Sequence, residues 1–453
     1  MTSRVWIAAG LGLASAAMSF PAMSKVDAAQ AAKLKKELTP VGGERGANKD
    51  GSIPAWDGGL SKAPAGFKPG SRYTNPFPGD KPKFTISASN LDQYRDKLSA
   101  GQLTMFKNYG DTYKIPVYET RRTFANPQFI YDATFKNATT ASLGGDGEAL
   151  NGAVTGIPFP IPSNGHEVIW NHKVRYRDLS VRRWNNQFAV TTSGAYNQVK
   201  IQEDVKFSYS ADGIQPSDLN NIILYFLQIT TEPARLAGTI LLVHETMDQV
   251  KEARKAWQYN PGQRRLRRAP NVGYDNPGTA SDGLRTNDQT DTYNGAMDRY
   301  TWKLVGKKEM YVPSSNAYEL HSDKHKYGDI VQKGHINQDL TRYELRRVWV
   351  VDSTLKPGTT HIYKRRVFYV DEDSWQIVMV DIYDERDTLW RFQEAHTAIA
   401  YDKPYQLPVA ETIYDLQNNR YLVQALNNED PETVSETYDD TYFAPANVKK
   451  FAR

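Results

Sequence analysis

Residues 341–402 show the clearest pattern of hydrophobic and polar positions in the chain. They form four runs rich in Val, Ile, Tyr, Phe and Trp, separated by polar turn residues, at 347–351, 361–370, 375–383 and 389–401. This pattern predicts an antiparallel meander. In the second run, charged and aromatic residues share both faces of the strand. We therefore expect a sheet that is half exposed to water and half curved around something, rather than one sandwiched between helices.

Strand patterns extend over most of the chain after residue 165. The further predicted strands are residues 167–176, 199–209, 221–229, 239–243, 253–259, 264–268 and 300–312. Most of these runs alternate apolar and polar residues, and Asn260-Pro261-Gly262-Gln263 joins two of them as a hairpin. The predicted fold class is therefore α+β: a large antiparallel sheet, curved into a half-barrel, with helices over an apolar cavity.

Helix and loop signals lie mostly before residue 165. Residues 26–38 favour a helix, and Asn90 is expected to cap another that continues to residue 106. Residues 138–151 are rich in Gly, Thr and Ala, which is typical of a flexible connector.

We predict a single domain over residues 25–453. Its helical and loop-rich part spans residues 25–165 and its β-rich body residues 166–453. Within that body, residues 407–426 fit either a helix or strands, and the acidic residues 427–440 are expected at the surface.

The first residues resemble a secretory signal peptide. Arg4 precedes an apolar run, residues 5–20, that is too short to span a membrane, and Ala22-Met23-Ser24 fits a cleavage site. We therefore predict that residues 1–24 are removed and that the protein acts in the periplasm. The chain has no cysteine, so its fold needs no disulfide. Its formal charge of +4 is weak for 453 residues, so we predict no nucleic-acid partner.

Short motifs are spread over nearly the whole exported chain. They are TPVGGER (39–45), GSIPAW (51–56), GIPFP (156–160), WNH (170–172), PGQRR (261–265), RRAP (267–270), DGLRT (282–286) and DEDSW (371–375). Together they resemble a domain-of-unknown-function family described as outer-membrane lipoprotein-sorting-like. The resemblance implies a fold similar to the periplasmic lipoprotein carriers, and a context of outer-membrane proteins and inner-membrane pumps for hydrophobic molecules. It brings no catalytic residues.

Motifs that would indicate catalysis are absent from the sequence. There is no Gly-x-Ser-x-Gly elbow, P-loop, dinucleotide fingerprint or His-Glu-x-x-His pair. His321 and His325 have a spacing that could hold a metal on a helix, but the segment is polar and reads as a solvated loop. The carboxylate pairs Asp381 with Asp384 and Asp371 with Asp373 lie at strand ends, where aspartate is expected anyway. We predict no catalytic residue, metal or cofactor.

A strongly basic hairpin is the sharpest local feature. Residues 251–268 hold seven Lys and Arg against Glu252 alone. Arginine recognises phosphate and carboxylate groups through paired hydrogen bonds, so a lipid headgroup or an anionic partner could bind here. The alternative, which we favour, is a solvated sheet edge that pairs with the acidic turn 371–373 or the acidic tail. The candidate contacts are Arg264, Arg265, Arg267 and Arg268.

Tryptophans placed on the predicted strands supply the candidate cavity. Packing in the core is the ordinary role of a strand tryptophan, but a curved sheet would also bring such residues around any cavity that it encloses. The candidate cavity residues are Trp170, Trp257, Trp302, Trp349, Phe368 and Trp390.

These features favour a non-catalytic periplasmic carrier for a lipid or another hydrophobic molecule. Burial of an acyl chain supplies about 0.8 kcal/mol per methylene, so a cavity alone can bind such a molecule. One alternative is a structural adaptor between an inner-membrane pump and an outer-membrane protein, which would need a large exposed apolar patch. The other is a hydrolase of envelope glycans or lipids.

Overall fold

A computed structural model describes residues 26–269 and 272–452. The predicted signal peptide lies outside the described residues. Six α-helices are present in the described ranges: α1 (Ala28–Ala32), α2 (Ala100–Tyr109), α3 (Gln128–Thr140), α4 (Gly165–Val174), α5 (Tyr318–His321) and α6 (Tyr327–Ile330).

Strands dominate the rest of the molecule. They are β1 (Phe84–Ile86), β2 (Ile115–Val117), β3 (Ser142–Gly144), β4 (Ala149–Asn151), β5 (Ser180–Val190), β6 (Tyr196–Lys206), β7 (Ile222–Glu232), β8 (Ile240–Thr246), β9 (Lys255–Asn260), β10 (Arg265–Arg268), β11 (Tyr300–Pro313), β12 (Tyr343–Leu355), β13 (Arg365–Asp371), β14 (Ile377–Tyr383), β15 (Leu389–Ala400), β16 (Tyr405–Asp415), β17 (Arg420–Leu426) and β18 (Val434–Ser435).

Sixteen of these strands form one large sheet, and β3 pairs with β4 in a small separate one. Strands β5 to β10 follow each other through the sheet, as do β11 to β17, and β17 pairs with β5 to join the two series. Within the described residues β10 pairs only with β9 and β11 only with β12, so the curved sheet stays open. The predicted α+β fold with a large, curved antiparallel sheet is confirmed, and so is the meander of residues 341–402.

Both faces of the meander strands β12 to β15 are covered, so the expectation of a half-exposed meander is wrong. On the inner face, α4 and residues 272–299 pack against the strands; Arg366 of β13, for example, is only 1% exposed. On the outer face, α2 contacts β14 and β15, and residues 440–450 contact β7 to β9. Most charged residues of β12 to β15 are therefore buried inside the protein instead of hydrated.

Residues 167–176 were predicted as a strand, but residues 165–174 form α4. The side chain of Asn164 accepts a hydrogen bond from the Glu167 backbone at the start of this helix. All of its residues except His166 are buried. A helix that is buried on every side shows no polar stripe at helical spacing. The alternating apolar residues of α4 therefore matched the pattern of a strand.

Three other local predictions also differ from the structure. The helix expected from Asn90 consists of two short 3₁₀ turns, and α2 begins only after Ser99, which caps it. Residues 138–151 hold the end of α3 and the β3–β4 hairpin instead of a connector. The ambiguous residues 407–426 fall in the antiparallel pair β16–β17.

Candidate binding cleft on the inner face

A cleft lies on the inner face of β6, β7 and β8. Phe226 of β7 is directly opposite Val205 of β6 and Val243 of β8, so the three side chains share one face of the sheet. Phe207, Leu224 and Leu241 extend this apolar surface. It forms because antiparallel strands place alternate residues on one side, and here those residues are Val, Leu and Phe.

Residues 272–294 form the opposite wall of the cleft. The segment contains one short 3₁₀ turn at Asn287–Gln289 and is otherwise irregular. Leu284 anchors it by packing on Ala189, Ile413 and Leu422. Asp288 anchors it further, because its carboxylate accepts from Arg366 at 2.8 Å and lies 3.0 Å from the ring of His361.

The space between these walls is narrow and is divided into small cavities. Three adjoining cavities of about 60, 50 and 10 Å³ run along the inner face. Arg183 and Phe226 border the first two cavities, and Phe207 borders the first and the smallest. The largest holds only a few water molecules. An acyl chain would therefore need the covering segment 272–294 to move outward.

Four arginines line the largest cavity, and three have a carboxylate partner. Arg183 bonds to Glu203 at 2.6 Å, and Arg254 is paired with Glu245. Arg177 is paired with Asp291, which also binds Arg175 at 2.5 Å. Although burial alone would raise it, the charges of Arg175 and Arg177 hold the pKa of Asp291 well below its ordinary value. Two cations on one carboxylate leave this corner of the cleft positive.

The fourth arginine, Arg285, differs from the other three. It lies in the covering segment, borders both larger cavities and is 6% exposed. Its Nη1 donates to Thr290 Oγ1 at 2.9 Å. Among the described residues, no carboxylate oxygen lies within 4.0 Å of a side-chain nitrogen of Arg285, the distance that defines an ion pair. Burial lowers the pKa of Arg285 from its ordinary value.

Glu411 of β16 borders the second cavity together with Arg285. It accepts hydrogen bonds from Gln393 and from the Thr292 backbone. Burial, together with the negative charge of Asp291, raises the pKa of Glu411 to about 7. This carboxyl is therefore neutral in weakly acidic solution and charged above neutral pH.

A second, wider groove lies outside the sheet. It has a volume of about 540 Å³ and is bordered by α3 and residues 212–216, with Phe129, Val154 and Ile214 among its apolar residues. Asp132, Lys136 and Asp212 also border it. We favour the inner cleft as the functional site because apolar side chains of three strands line it and the buried Arg285 borders it.

The tryptophans predicted to line a cavity lie elsewhere. Trp170 is buried in α4, where its Nε1 donates to the Gly147 carbonyl at 2.7 Å. Trp257 is on the outer face, because it is opposite Leu242, which packs under the C-terminal residues. Trp302 packs against Phe368 with 5.5 Å between ring centres.

The remaining two tryptophans also have packing partners inside the protein. Trp349 stacks on Trp375 at 6.2 Å, and Trp390 Nε1 donates to Asp415 at 3.1 Å. None of the six candidate residues borders the inner cleft. Their role in binding a ligand stays a prediction.

The basic hairpin is the β9–β10 edge of the sheet. Arg264, Arg265, Arg267 and Arg268 are exposed there, and Arg268 lies over the ring of Trp257 at 5.0 Å. The acidic turn 371–373 does not pair with them, because its carboxylates bind arginines of the sheet and of the N-terminal part. Contact of this edge with a headgroup or partner stays a prediction.

The other residues considered for chemistry have partners as well. His321 Nε2 lies 2.6 Å from Glu432, and His325 Nε2 lies 2.7 Å from Glu319. Asp381 is buried and accepts from Ser99 and two backbone amides at the start of α2, so it caps that helix. In the described ranges, no three or more His, Cys, Asp or Glu side chains are grouped so that they could hold a metal ion.

Sequence reasoning missed Arg285 as a site residue, although it lies in one of the motifs identified from the sequence. The motif Asp282–Thr286 places Arg285 between Leu284, which packs on the sheet, and Thr286, which caps the following 3₁₀ turn. A leucine next to the arginine was the available sign that this loop enters the core. The depth of that entry depends on contacts with distant strands.

The chain is similar to proteins of known sequence and of known structure. Residues 85–449 match the family model "Protein of unknown function (DUF1329)". An uncharacterized protein of Pseudomonas aeruginosa is 50% identical over 99% of both chains. A proposed outer membrane lipoprotein-sorting protein domain from Vibrio parahaemolyticus is 13% identical and covers 62% of this chain and 97% of its own, with a TM-score of 0.41. A DUF1329 protein from Desulfovibrio piger is 15% identical and covers 60% and 91%, with a TM-score of 0.40.

The fold and the cleft define an α+β protein built on one open, curved antiparallel sheet. The chain belongs to the DUF1329 family, which confirms the family resemblance of its sequence motifs. Over residues 26–269 and 272–452, no helix combines the length and the apolar content needed to cross a membrane.

Proposed function

We propose that this protein is a non-catalytic carrier that binds a hydrophobic molecule in the inner cleft. The observation that carries the proposal is the apolar surface that Val205, Phe226 and Val243 form on β6, β7 and β8, which borders a line of cavities under an irregular segment. Interiors are normally packed without such gaps. A row of them along one apolar face favours a place that opens for a ligand.

The arrangement of apolar residues also weighs against the adaptor alternative. An adaptor needs a large exposed apolar patch. In the described residues, the exposed large apolar side chains are Leu179, Tyr196, Val250, Val305 and Ile362, and they lie on five separate segments. Action in the periplasm, and contact with outer-membrane proteins or an inner-membrane pump, remain part of this proposal.

Binding of a fluorescent naphthylamine probe tests the proposal. The wild type should take up the probe saturably, and fatty acids or phospholipids should displace it. Phe226→Glu places a charge on the apolar face of the cleft and should abolish uptake. Ile214→Glu is the matched control, because it places the same charge in the outer groove. Loss of uptake in the Ile214 variant alone, with both proteins folded by circular dichroism, would move the site to that groove. Absence of uptake in the wild type would exclude a carrier.

A further inference from the structure

Arg285 is an exception among the buried arginines. Eight arginines are buried in the described part of the chain. Seven of them have a carboxylate oxygen within 4.0 Å, and Arg285 does not; the seven are Arg122, Arg175, Arg342, Arg346, Arg347, Arg366 and Arg391. A guanidinium stays protonated in a protein, so a buried one needs an anion or water.

The free edge of Arg285 has the geometry of an anion site. Its Nη1 is used by Thr290, while its Nε is buried without a partner and its Nη2 makes no hydrogen bond to the described residues. The Nε and Nη2 groups form the side edge of the guanidinium. Elsewhere in this protein that edge holds a carboxylate with two bonds, as in Arg121 with Asp80 at 2.7 and 2.7 Å.

The backbone holds this edge in place. A Cβ atom at Gly278 would lie 2.8 Å from Cζ of Arg285, so only a residue without a side chain allows the guanidinium to lie there. Thr290 fixes its other side. The fork is therefore oriented before any ligand arrives, which favours binding.

We infer that the ligand of the cleft is an amphiphile with one acidic head group, a carboxylate, sulfonate or phosphate monoester, held by Nε and Nη2 of Arg285. This inference rests on the proposed carrier function. The apolar part of the ligand lies on Leu224, Phe226 and Val243, which border the same cavity as Arg285. Asp291 does not oppose the head group, because Arg175 and Arg177 neutralise it.

Matched ligands test the inference on the wild-type protein. Dodecanoate and decanesulfonate should bind at least tenfold more tightly than methyl dodecanoate, measured by displacement of the naphthylamine probe at pH 6. Equal binding of acid and ester would overturn the acidic head group while leaving the carrier intact. Competition by inorganic phosphate or acetate at millimolar concentration would show a small-anion site and would also overturn it. If neither amphiphile displaced the probe, the carrier proposal itself would fail.

Variants then assign the head group to Arg285. Arg285→Met should reduce the preference for acid over ester to about one, with ester binding unchanged. Gly278→Ala keeps the charge but displaces the guanidinium, and should reduce the preference as well. Arg386→Met removes an exposed arginine from the turn between β14 and β15 and should change nothing. A tenfold preference that survives in Arg285→Met would exclude this residue as the anchor.

Discussion

Two buried groups of charges in this protein are built in opposite ways. The acidic-turn cluster joins the carboxylates of residues 371–373 to four cations, and every member has an ionic partner; its cations are Arg122, Arg346, Arg347 and Lys307. In the cleft, by contrast, Arg285 has no carboxylate partner among the described residues. When every buried charge is paired within the chain, the cluster stabilises the fold. A buried arginine without a carboxylate partner can instead bind an anionic ligand.

The acidic-turn cluster connects the N-terminal loop to the sheet. Arg122 binds Asp373 with two bonds of 2.6 and 2.9 Å and also donates to the Glu44 carbonyl. Trp375 Nε1 donates to the Val41 carbonyl at 2.9 Å. Two of the motifs found in the sequence, residues 39–45 and 371–375, therefore meet at a structural joint.

Breaking the complete cluster should give the largest effect. Asp373→Ala leaves Arg122 and Arg346 buried with fewer partners, so the free energy of unfolding should fall by about 3–5 kcal/mol. Urea unfolding followed by circular dichroism measures it. Asp323→Ala is the control, because Asp323 is exposed, and it should stay within about 0.5 kcal/mol of the wild type. A loss in Asp373→Ala no larger than in the control would show that the cluster is not structural.

Glu394 shows how an acid without a cation behaves. It is fully buried, and within the described residues its carboxyl group accepts hydrogen bonds only from Tyr343, at 3.0 and 3.2 Å. Burial raises its pKa from 4.5 to about 8. An unpaired buried acid thus keeps its proton and becomes neutral. Arginine cannot lose its proton in this way, so the unpaired Arg285 stays charged.

The raised pKa of Glu394 predicts a pH dependence of stability. Between pH 4.5 and 8 the folded state holds a proton that the unfolded state has lost, so stability falls as pH rises, by roughly 1.4 kcal/mol per pH unit. Glu394→Gln resembles the neutral form and removes this contribution. The difference in unfolding free energy between wild type and variant should therefore change by roughly 1.4 kcal/mol per pH unit between pH 4.5 and 8. A difference that is constant with pH would show that Glu394 is ionised in the folded protein.

Removing Arg366 and Arg285 in turn compares a buried arginine that has a carboxylate partner with one that has none. Arg366→Met leaves Asp288 with a buried charge and without its arginine partner, and should cost about 3 kcal/mol or more. Arg285→Met removes a charge that has no ionic partner, so stability should change by less than about 1 kcal/mol. Thermal unfolding of the two variants in parallel measures the difference. Equal losses would indicate that Arg285 has a structural role.

The sequence alone predicted strands β6 to β15, because their signals are local, but it missed β5. Alternation in residues 199–209 and turn chemistry at 260–263 depend only on neighbouring residues, and both predictions hold. The helix α4 was missed because all of its residues except His166 are buried, so it has no polar stripe at helical spacing. Its character depends on what surrounds it, which the local pattern does not contain.

The candidate site was harder to predict for the same physical reason. Whether Trp257 faces the cleft or the C-terminal residues depends on the register of β9 against β8, which no local pattern fixes. Arg285 lies in a polar loop, and such loops usually lie at the surface. Its burial arises from Leu284 and Asp288, which bind strands about a hundred residues away in the chain.

The smallest predicted effect is a pH dependence of ligand binding through Glu411. The cavity that Glu411 borders is also lined by Arg285, by the ion pair of Arg183 with Glu203, and by Asp291, whose partner is Arg177. Gln393 and the Thr292 backbone donate hydrogen bonds to the Glu411 carboxylate. With a pKa of about 7, Glu411 is mostly neutral at pH 6 and charged at pH 8. The charged form partly neutralises Arg285 and repels an anion.

Decanesulfonate measures this effect cleanly, because its own charge is constant between pH 6 and pH 8. Its affinity for the wild type should fall by about three- to tenfold over that range, as expected for two like charges in a partly hydrated site. Glu411→Gln should bind it at both pH values as tightly as the wild type does at pH 6. An equal fall in the variant would assign the pH dependence to another group. It would leave Arg285 as the anchor and remove only the role of Glu411 in tuning its charge.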